Sequence, residues 1–302
     1  MKLWAVNEWA SLRKMVVGIG TSMGGVPDLA DAYDPKSKEH IAAGTFPSEE
    51  DVSAELNALV QLLEDAGIEV LRPHNIDGLN QVFARDVGVV IEDKLVVTGM
   101  ITDRAQEWEG IAPLLQNTPA SHRLVAPPGV RVEGGDVMPM DGELWVGYSP
   151  KQDFDQFTTS RTNEAALDWL SDQFPDWNVR GFALTKSDED PRANALHLDC
   201  CLSVLGGGEA ILHANGFREE SDLKWLRERF GDRRLEVDAE QMYHMQCNLI
   251  SIDPQHVVSC PGFESVNAQL QAWGYHVATT PMQETAKMEG LLRCVTLPLH
   301  RI

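Results

Sequence analysis

The chain reads as an α/β protein built from five strand–strand–helix–strand units, with its two ends sharing one unit. Three observations predict this. A short apolar hairpin recurs four times, starting near residues 87, 137, 201 and 248. A helical stretch and one more short strand follow most of the copies. The apolar segment Cys294-Val295-Thr296-Leu297 ends the chain without a hairpin partner, and Met15-Val16-Val17-Gly18 begins it without one. If these two pair, the repeat closes into a ring, because each unit buries its faces against its neighbours. At 302 residues the length allows one large domain or two ordinary ones. Closure makes residues 1–302 a single domain.

The elements follow in order. After Met15–Gly18, the stretch from Thr21 to Phe46 is rich in Gly, Pro and Asp and fits no unit. It is expected to be a long surface loop and, over 21–46, a lid. Ser48 is a good N-cap, with Glu49, Glu50 and Asp51 in the first turn of a helix that Gly67 ends. Ile68–Leu71 is its trailing strand. Val87–Ile91 and Leu95–Val97 form the first hairpin around Glu92-Asp93-Lys94. Pro113 interrupts the helical pattern behind it, and Leu124–Ala126 trails. Val137–Met140 and Leu144–Val146 turn at Asp141-Gly142, before a helix at 163–170 and a strand at 179–182. Cys201–Leu205 and Ala210–Leu212 form the third hairpin, before a helix from 219 to 230 stopped by Gly231 and a strand at 235–237. Asn248–Ile252 and Val257–Val258 form the fourth, before a helix from 264 to 273 stopped by Gly274 and a strand at 275–277.

Composition narrows the partners. Lys plus Arg total 25 against 46 Asp plus Glu, a net charge of −21, which argues against nucleic acid and anionic membranes. Mean hydropathy is −0.23, and no apolar run approaches the roughly 20 residues of a membrane helix. Asn7-Glu8 interrupts the N-terminus before a signal-peptide core forms, so a soluble cytoplasmic protein is expected. The five cysteines, at 200, 201, 247, 260 and 294, include no Cys-x-x-Cys pair. Neither a disulfide framework nor a zinc site is expected.

Polar residues gather at the mouth of each unit's first strand. Arg85-Asp86 opens the first hairpin, Glu133-Gly134-Gly135-Asp136 the second, His197-Leu198-Asp199 the third and Cys247 the fourth. Arg293-Cys294 opens the last segment. In a ring these positions converge, so a thiol, a histidine and several carboxylates would share one pocket. That set suits thiol nucleophilic catalysis: a sulfur to attack, a His to move protons and a carboxylate to orient the His. Each residue also has a plain alternative. Cys294 could be a small core residue, His197 a satisfied core histidine, Glu133–Asp136 a turn, and Arg85-Asp86 a local ion pair. The other four cysteines and eight histidines are read as structural.

At these residues the sequence resembles the guanidino-group-modifying family, which includes arginine deiminases, dimethylarginine dimethylaminohydrolases and amidinotransferases. The resemblance runs through Asn7-Glu8-Trp9, Phe83-Ala84-Arg85-Asp86, Glu133-Gly134-Gly135-Asp136, Arg161-Thr162-Asn163, His197-Leu198-Asp199 and Arg293-Cys294-Val295-Thr296-Leu297-Pro298-Leu299. It implies a five-bladed α/β propeller with pseudo-fivefold symmetry. It also implies Cys294 as nucleophile, His197 as general acid/base and Glu133 as supporting carboxylate. Asp86 and Asp199 would hold the guanidinium, and Arg161 would clamp a substrate carboxylate. No metal and no organic cofactor is implied. Many relatives carry a Gly-rich loop just before the Cys; here Met288-Glu289-Gly290-Leu291-Leu292-Arg293 stands there, which leaves the particular guanidino compound open.

The expected function is hydrolysis of a guanidino group in arginine or a related compound through a covalent Cys294 adduct. The alternative is an amidinotransferase, in which an amine resolves the same adduct; Asn7-Glu8-Trp9 resembles that branch. A third reading is a non-catalytic ring that binds ribosomes, a class without the Cys–His–acid set. Oligomeric state is left open.

Overall fold

A computed structural model describes residues 2–302. The first strand, β1 (Leu12–Val17), leads after the long helix Glu49–Asp65 to β2 (Glu69–Leu71), which pairs with it in parallel. Four more groups follow: β3 (Gly88–Ile91), β4 (Lys94–Val97) and β5 (Arg123–Val125); β6 (Val137–Pro139), β7 (Glu143–Tyr148) and β8 (Asn178–Ala183). Then come β9 (Leu202–Val204), β10 (Ala210–Leu212) and β11 (Arg234–Glu236), and β12 (Ile250–Ser251), β13 (His256–Ser259) and β14 (His276–Thr279). Each group is a three-stranded mixed sheet: an antiparallel hairpin with the trailing strand parallel to its second member.

The last strand, β15 (Thr296–Arg301), lies antiparallel to β1, with Met15 opposite Pro298 and Val17 opposite Thr296. The expected pairing of the two ends therefore holds, and the described residues form five small mixed sheets. The hairpins and helices fall within a few residues of expectation.

Local chemistry accounts for the boundaries. Ser48 Oγ accepts from the Asp51 N–H at 3.1 Å, and three acids in the first turn match the helix dipole. Leu56, Leu59 and Leu63 repeat at helical spacing and are fully buried, worth about 1.5–3 kcal/mol each. Behind the first hairpin only one α-turn forms, Glu107–Ile111, and the chain tightens into a 3-10 turn at Ala112–Leu115, where Pro113 cannot donate.

One expectation needs correction. The segment 21–46 is not loop throughout: Pro35–Ala42 is helical, with Asp34 Oδ1 accepting from the Ser37 N–H at 2.6 Å and Pro35 in the first turn. Its sequence, Pro-Lys-Ser-Lys-Glu-His-Ile-Ala, has no apolar stripe, which is why periodicity does not reveal it. Among the described residues no helix is long and apolar enough to cross a membrane.

The strand mouths are joined to one another by hydrogen bonds. Arg85 N–H donates to Cys294 O (3.0 Å), Gly134 N–H to Asp86 O (3.3 Å) and Leu198 N–H to Asp136 Oδ1 (2.9 Å). Asn248 Nδ2 donates to Asp199 O (3.0 Å), and Arg293 N–H to Asn248 Oδ1 (2.8 Å). These links run from the last mouth to the first, second, third and fourth and back to the last. The approach explains the glycine pair: a Cβ on Gly134 would stand 2.0 Å from Arg85 O, and one on Gly135 2.8 Å from the His197 ring.

Candidate active site

The joined mouths form the floor of a cavity of about 280 Å³. Cys294, His197, Asp86 and Arg161 all line it. Their elements explain this. Cys294 directly precedes the last strand, His197 caps the short turn Leu198–Cys201, and Asp86 stands just before β3. The segment 23–37 and Phe46 form much of the roof.

His197 is hydrogen-bonded at one ring nitrogen and faces a second carboxylate with the other. Nε2 lies 2.9 Å from Glu133 Oε2, and Nδ1 lies 3.6 Å from Asp86 Oδ1. Burial alone would discharge the ring, but Asp86, Asp136 and Glu133 outweigh it and push its pKa up to about 9. His197 is therefore an imidazolium at neutral pH. Glu133 is wholly buried behind it, off the cavity wall, and despite burial the Arg161, His197 and Arg104 cations hold its carboxyl below the usual range.

Cys294 is 2% exposed. Burial raises its pKa; a hydrogen bond with Cys200 works the other way, and Asp199 and Asp86 add to the rise. The resting sulfur is a thiol. Asn248 Nδ2 lies 3.1 Å from Sγ, while Asn248 Oδ1 accepts from the Arg293 and Cys294 N–H groups at 2.8 and 3.2 Å. The polar residue of the fourth mouth is thus Asn248, not the adjacent Cys247, which sits in an apolar cluster with its thiol pushed up by burial.

The two aspartates differ. Asp86 lines the cavity; its Oδ2 accepts from Arg104 Nη1 at 2.7 Å, while Oδ1 has no hydrogen-bond partner. Asp199 lies beneath the sulfur, with both oxygens 3.6 Å from Sγ and Oδ2 accepting from Arg293 Nη1 at 2.8 Å. It is fully buried and off the cavity wall. Arg85 makes no ion pair with Asp86; its guanidinium reaches Glu8 at 4.0 Å. Arg161 Nη2 donates to Tyr33 O at 3.2 Å and Nη1 stands 3.5 Å from Glu133 Oε2, while neither Nε nor Nη1 makes a hydrogen bond.

Arg104 escaped the sequence reading. It grips Glu107 through Nε and Nη2 at 2.7 and 2.9 Å while meeting Asp86. Nothing in Ile-Thr-Asp-Arg-Ala marks it, since a lone Arg in a polar turn is usually solvated. Two donor groups, Asp86–Glu133–His197 and His197–Asp199–Cys200, are close enough to touch one ion. Their carboxylates already face guanidinium cations, Arg104 and Arg293.

A buried thiol, a histidine and a carboxylate with a free oxygen thus meet on one cavity over five mixed sheets. The sequence pattern of the eukaryotic N,N-dimethylarginine dimethylhydrolase family matches residues 36–301, so the chain belongs to that family, within the guanidino-group-modifying penteins. The uncharacterized protein YkgA of Bacillus subtilis (strain 168) is 29% identical over 244 residues, 78% of each chain. The N-terminal domain of ArgZ, an arginine dihydrolase from the ornithine–ammonia cycle in cyanobacteria, superposes with a TM-score of 0.79 at 18% identity, covering 95% of this chain and 98% of the other. The amidinotransferase SxtG of Microseira wollei, from saxitoxin biosynthesis, gives 0.75 at 18% identity over 99% and 97%. These two likenesses are of fold.

Proposed function

We propose that the chain is a Cys-dependent hydrolase that cleaves a C–N bond of a guanidino group in arginine or a related compound. The observation that carries this reading is the placement of Cys294, His197 and Asp86 on one cavity, with His197 bonded to Glu133 at 2.9 Å. The cyclic order of the mouth-to-mouth hydrogen bonds supports a five-bladed α/β propeller in one domain over 1–302. The roof over the cavity supports 21–46 as a lid.

Each residue then has a task. The unpartnered Oδ1 of Asp86 meets a guanidinium N–H, and Asp199 is the second carboxylate within reach of a cation seated on the sulfur. Arg161, which lines the cavity and has two nitrogens that make no hydrogen bond, takes a substrate carboxylate. The bound cation favours loss of the Cys294 proton to solvent. The thiolate attacks the central carbon, forming a C–S bond. His197, already protonated, gives its proton to the departing nitrogen as the C–N bond breaks, and ammonia or an amine leaves. The neutral His197 then removes a proton from water, whose oxygen attacks the same carbon. The C–S bond breaks, a ureido product departs and the sulfur leaves as thiolate. Glu133 keeps the ring oriented through both steps.

The transferase reading shares the first half. The motif that resembles that branch does structural work here. Asn7 Oδ1 accepts from the Trp9 and Ala10 N–H groups, and Glu8 clasps Arg293. A panel of guanidino compounds, assayed with and without amine acceptors, decides. Ammonia or an alkylamine released from substrate alone, insensitive to added amines, is expected. Cys294→Ser should abolish it, while Cys200→Ser, Cys201→Ser and Cys260→Ser chiefly affect stability. A guanidinylated amine, with negligible turnover in its absence, would establish the transferase. Substantial turnover by Cys294→Ser would remove the nucleophile assignment.

A further inference from the structure

Asp199 sets a problem for the reaction just described. A carboxylate with both oxygens 3.6 Å from the Cys294 sulfur opposes the thiolate on which attack depends. The sulfur has other charged and polar neighbours. Asp86 and His197 share its cavity, Cys200 lies beside Asp199, and Asn248 donates from the fourth mouth. None of these neutralises Asp199. Arg293 does.

All five donors of Arg293 are engaged. Nη1 donates to Asp199 Oδ2 at 2.8 Å and to Gly135 O at 3.2 Å. Nε and Nη2 each donate to the Glu8 carboxylate at 3.0 Å, and Nη2 also reaches Val137 O at 2.9 Å. Glu8 is itself held ionised: burial works against its charge, but Arg293 and Arg85 bring its pKa down to about 2. The guanidinium is thus fixed in plane and orientation from both edges.

We infer that Arg293, anchored by Glu8, is a positioning residue that cancels the charge of Asp199 beneath the sulfur and so sets how readily the Cys294 thiolate forms. The inference rests on Cys294 as the reacting thiol. A purely structural salt bridge would need only the contacts; this role needs the positive charge.

The test titrates the thiol itself in the full chain. Alkylation of Cys294 by iodoacetamide, read on its own peptide by mass spectrometry, is followed against pH. Arg293→Gln removes the charge and leaves a shorter side chain with two N–H donors, so Arg293→Lys, which keeps a cation, separates loss of charge from loss of contacts. It should raise the midpoint by about one pH unit, roughly tenfold less thiolate at neutral pH. Arg293→Lys should recover more than half of that shift, and Asp199→Asn should lower the midpoint by at least about half a unit. An unchanged midpoint in Arg293→Gln overturns the inference, as does a shift in Arg293→Lys as large as in Arg293→Gln. Should Arg293→Gln fail to fold, Asp199→Asn decides: a midpoint that stays or rises overturns it. The nucleophile reading fails on a different result, turnover by Cys294→Ser, so the two failures are distinguishable.

Discussion

Asp86, Arg104 and Arg161 on the cavity wall, with Glu133 just behind it, form one buried group of charges. Behind it, Glu8, Arg85, Arg293 and Asp199 form another. The rear group is nearly saturated: Arg293 uses every donor, Glu8 accepts one edge of it through both oxygens and Asp199 the other, and only Arg85 Nη2 lacks a partner. The front group keeps spare valence at Asp86 Oδ1, Glu133 Oε1, and Arg161 Nε and Nη1. An unmade hydrogen bond in a buried site costs about 1–3 kcal/mol. Of the groups with spare valence, Asp86 and Arg161 line the cavity, where a ligand can complete them. The difference separates a group with valence left for substrate from one whose charges are already paired.

The largest effect should come from His197, where the front group borders the thiol. His197→Gln should lower kcat by about 10²–10⁴. It should also change how stability depends on pH. The folded pKa of about 9 lies above the ordinary value of 6.5. The charged ring therefore stabilises the fold fully below about pH 6.5, and that contribution is lost as pH rises through about 9. The Tm difference between wild type and His197→Gln should shrink over that window. A difference independent of pH would show that the ring is not the imidazolium argued above.

Asp86→Asn probes the front group with a smaller effect. Arg104 remains clasped by Glu107 but loses a buried counter-charge, and His197 loses one that keeps it protonated, so Tm should fall modestly. The guanidinium loses a charged acceptor, worth about 1.5–3 kcal/mol, and KM should rise about tenfold to a hundredfold. If Tm falls sharply while KM holds, Asp86 belongs with the saturated group and the division between the groups fails.

Much of this was legible in the amino-acid sequence, for a physical reason. Hairpins announce themselves by alternation and turns, so all four were found, and the orphan segments at the two ends implied β1 against β15. The mouth residues were legible because a polar residue at the head of an apolar strand is conspicuous. What escaped depends on tertiary placement. Asn248 was missed by one position, because a cysteine beside it drew the chemical argument while the amide does the bonding. Arg104 and the helix Pro35–Ala42 carry no periodic signal. Asp199 was placed at its mouth, but its partner Arg293, adjacent to Cys294 in the quoted motif, was not read as its counter-ion. Spacing along a chain does not report which charge faces which.

The smallest expected effect lies at the base of the roof and asks whether 21–46 acts as a lid. Glu49, in the first turn of the helix Glu49–Asp65, accepts from the Ser22 N–H through Oε2 at 3.1 Å. Its Oε1 accepts from the Gly24 and Gly25 N–H groups at 3.1 and 3.3 Å. Gly24 and Gly25 both have positive φ, +92° and +76°, a conformation suited to a turn that presents its amides to one anion. Glu49→Gln replaces one acceptor oxygen with an NH₂ that faces amide donors, so at least one of the three bonds is lost. Each is a charge-assisted bond at a partly exposed site, so the loss in stability should stay near 1 kcal/mol. The consequence should fall on closure over substrate: KM about two- to threefold higher with kcat unchanged. Amide exchange should quicken at residues 22–25 and not in the Glu107–Ile111 turn across the cavity. Unchanged exchange at 22–25 would mean that Glu49 does not anchor the segment. A fall in kcat at constant KM would place the segment in the chemistry rather than above it.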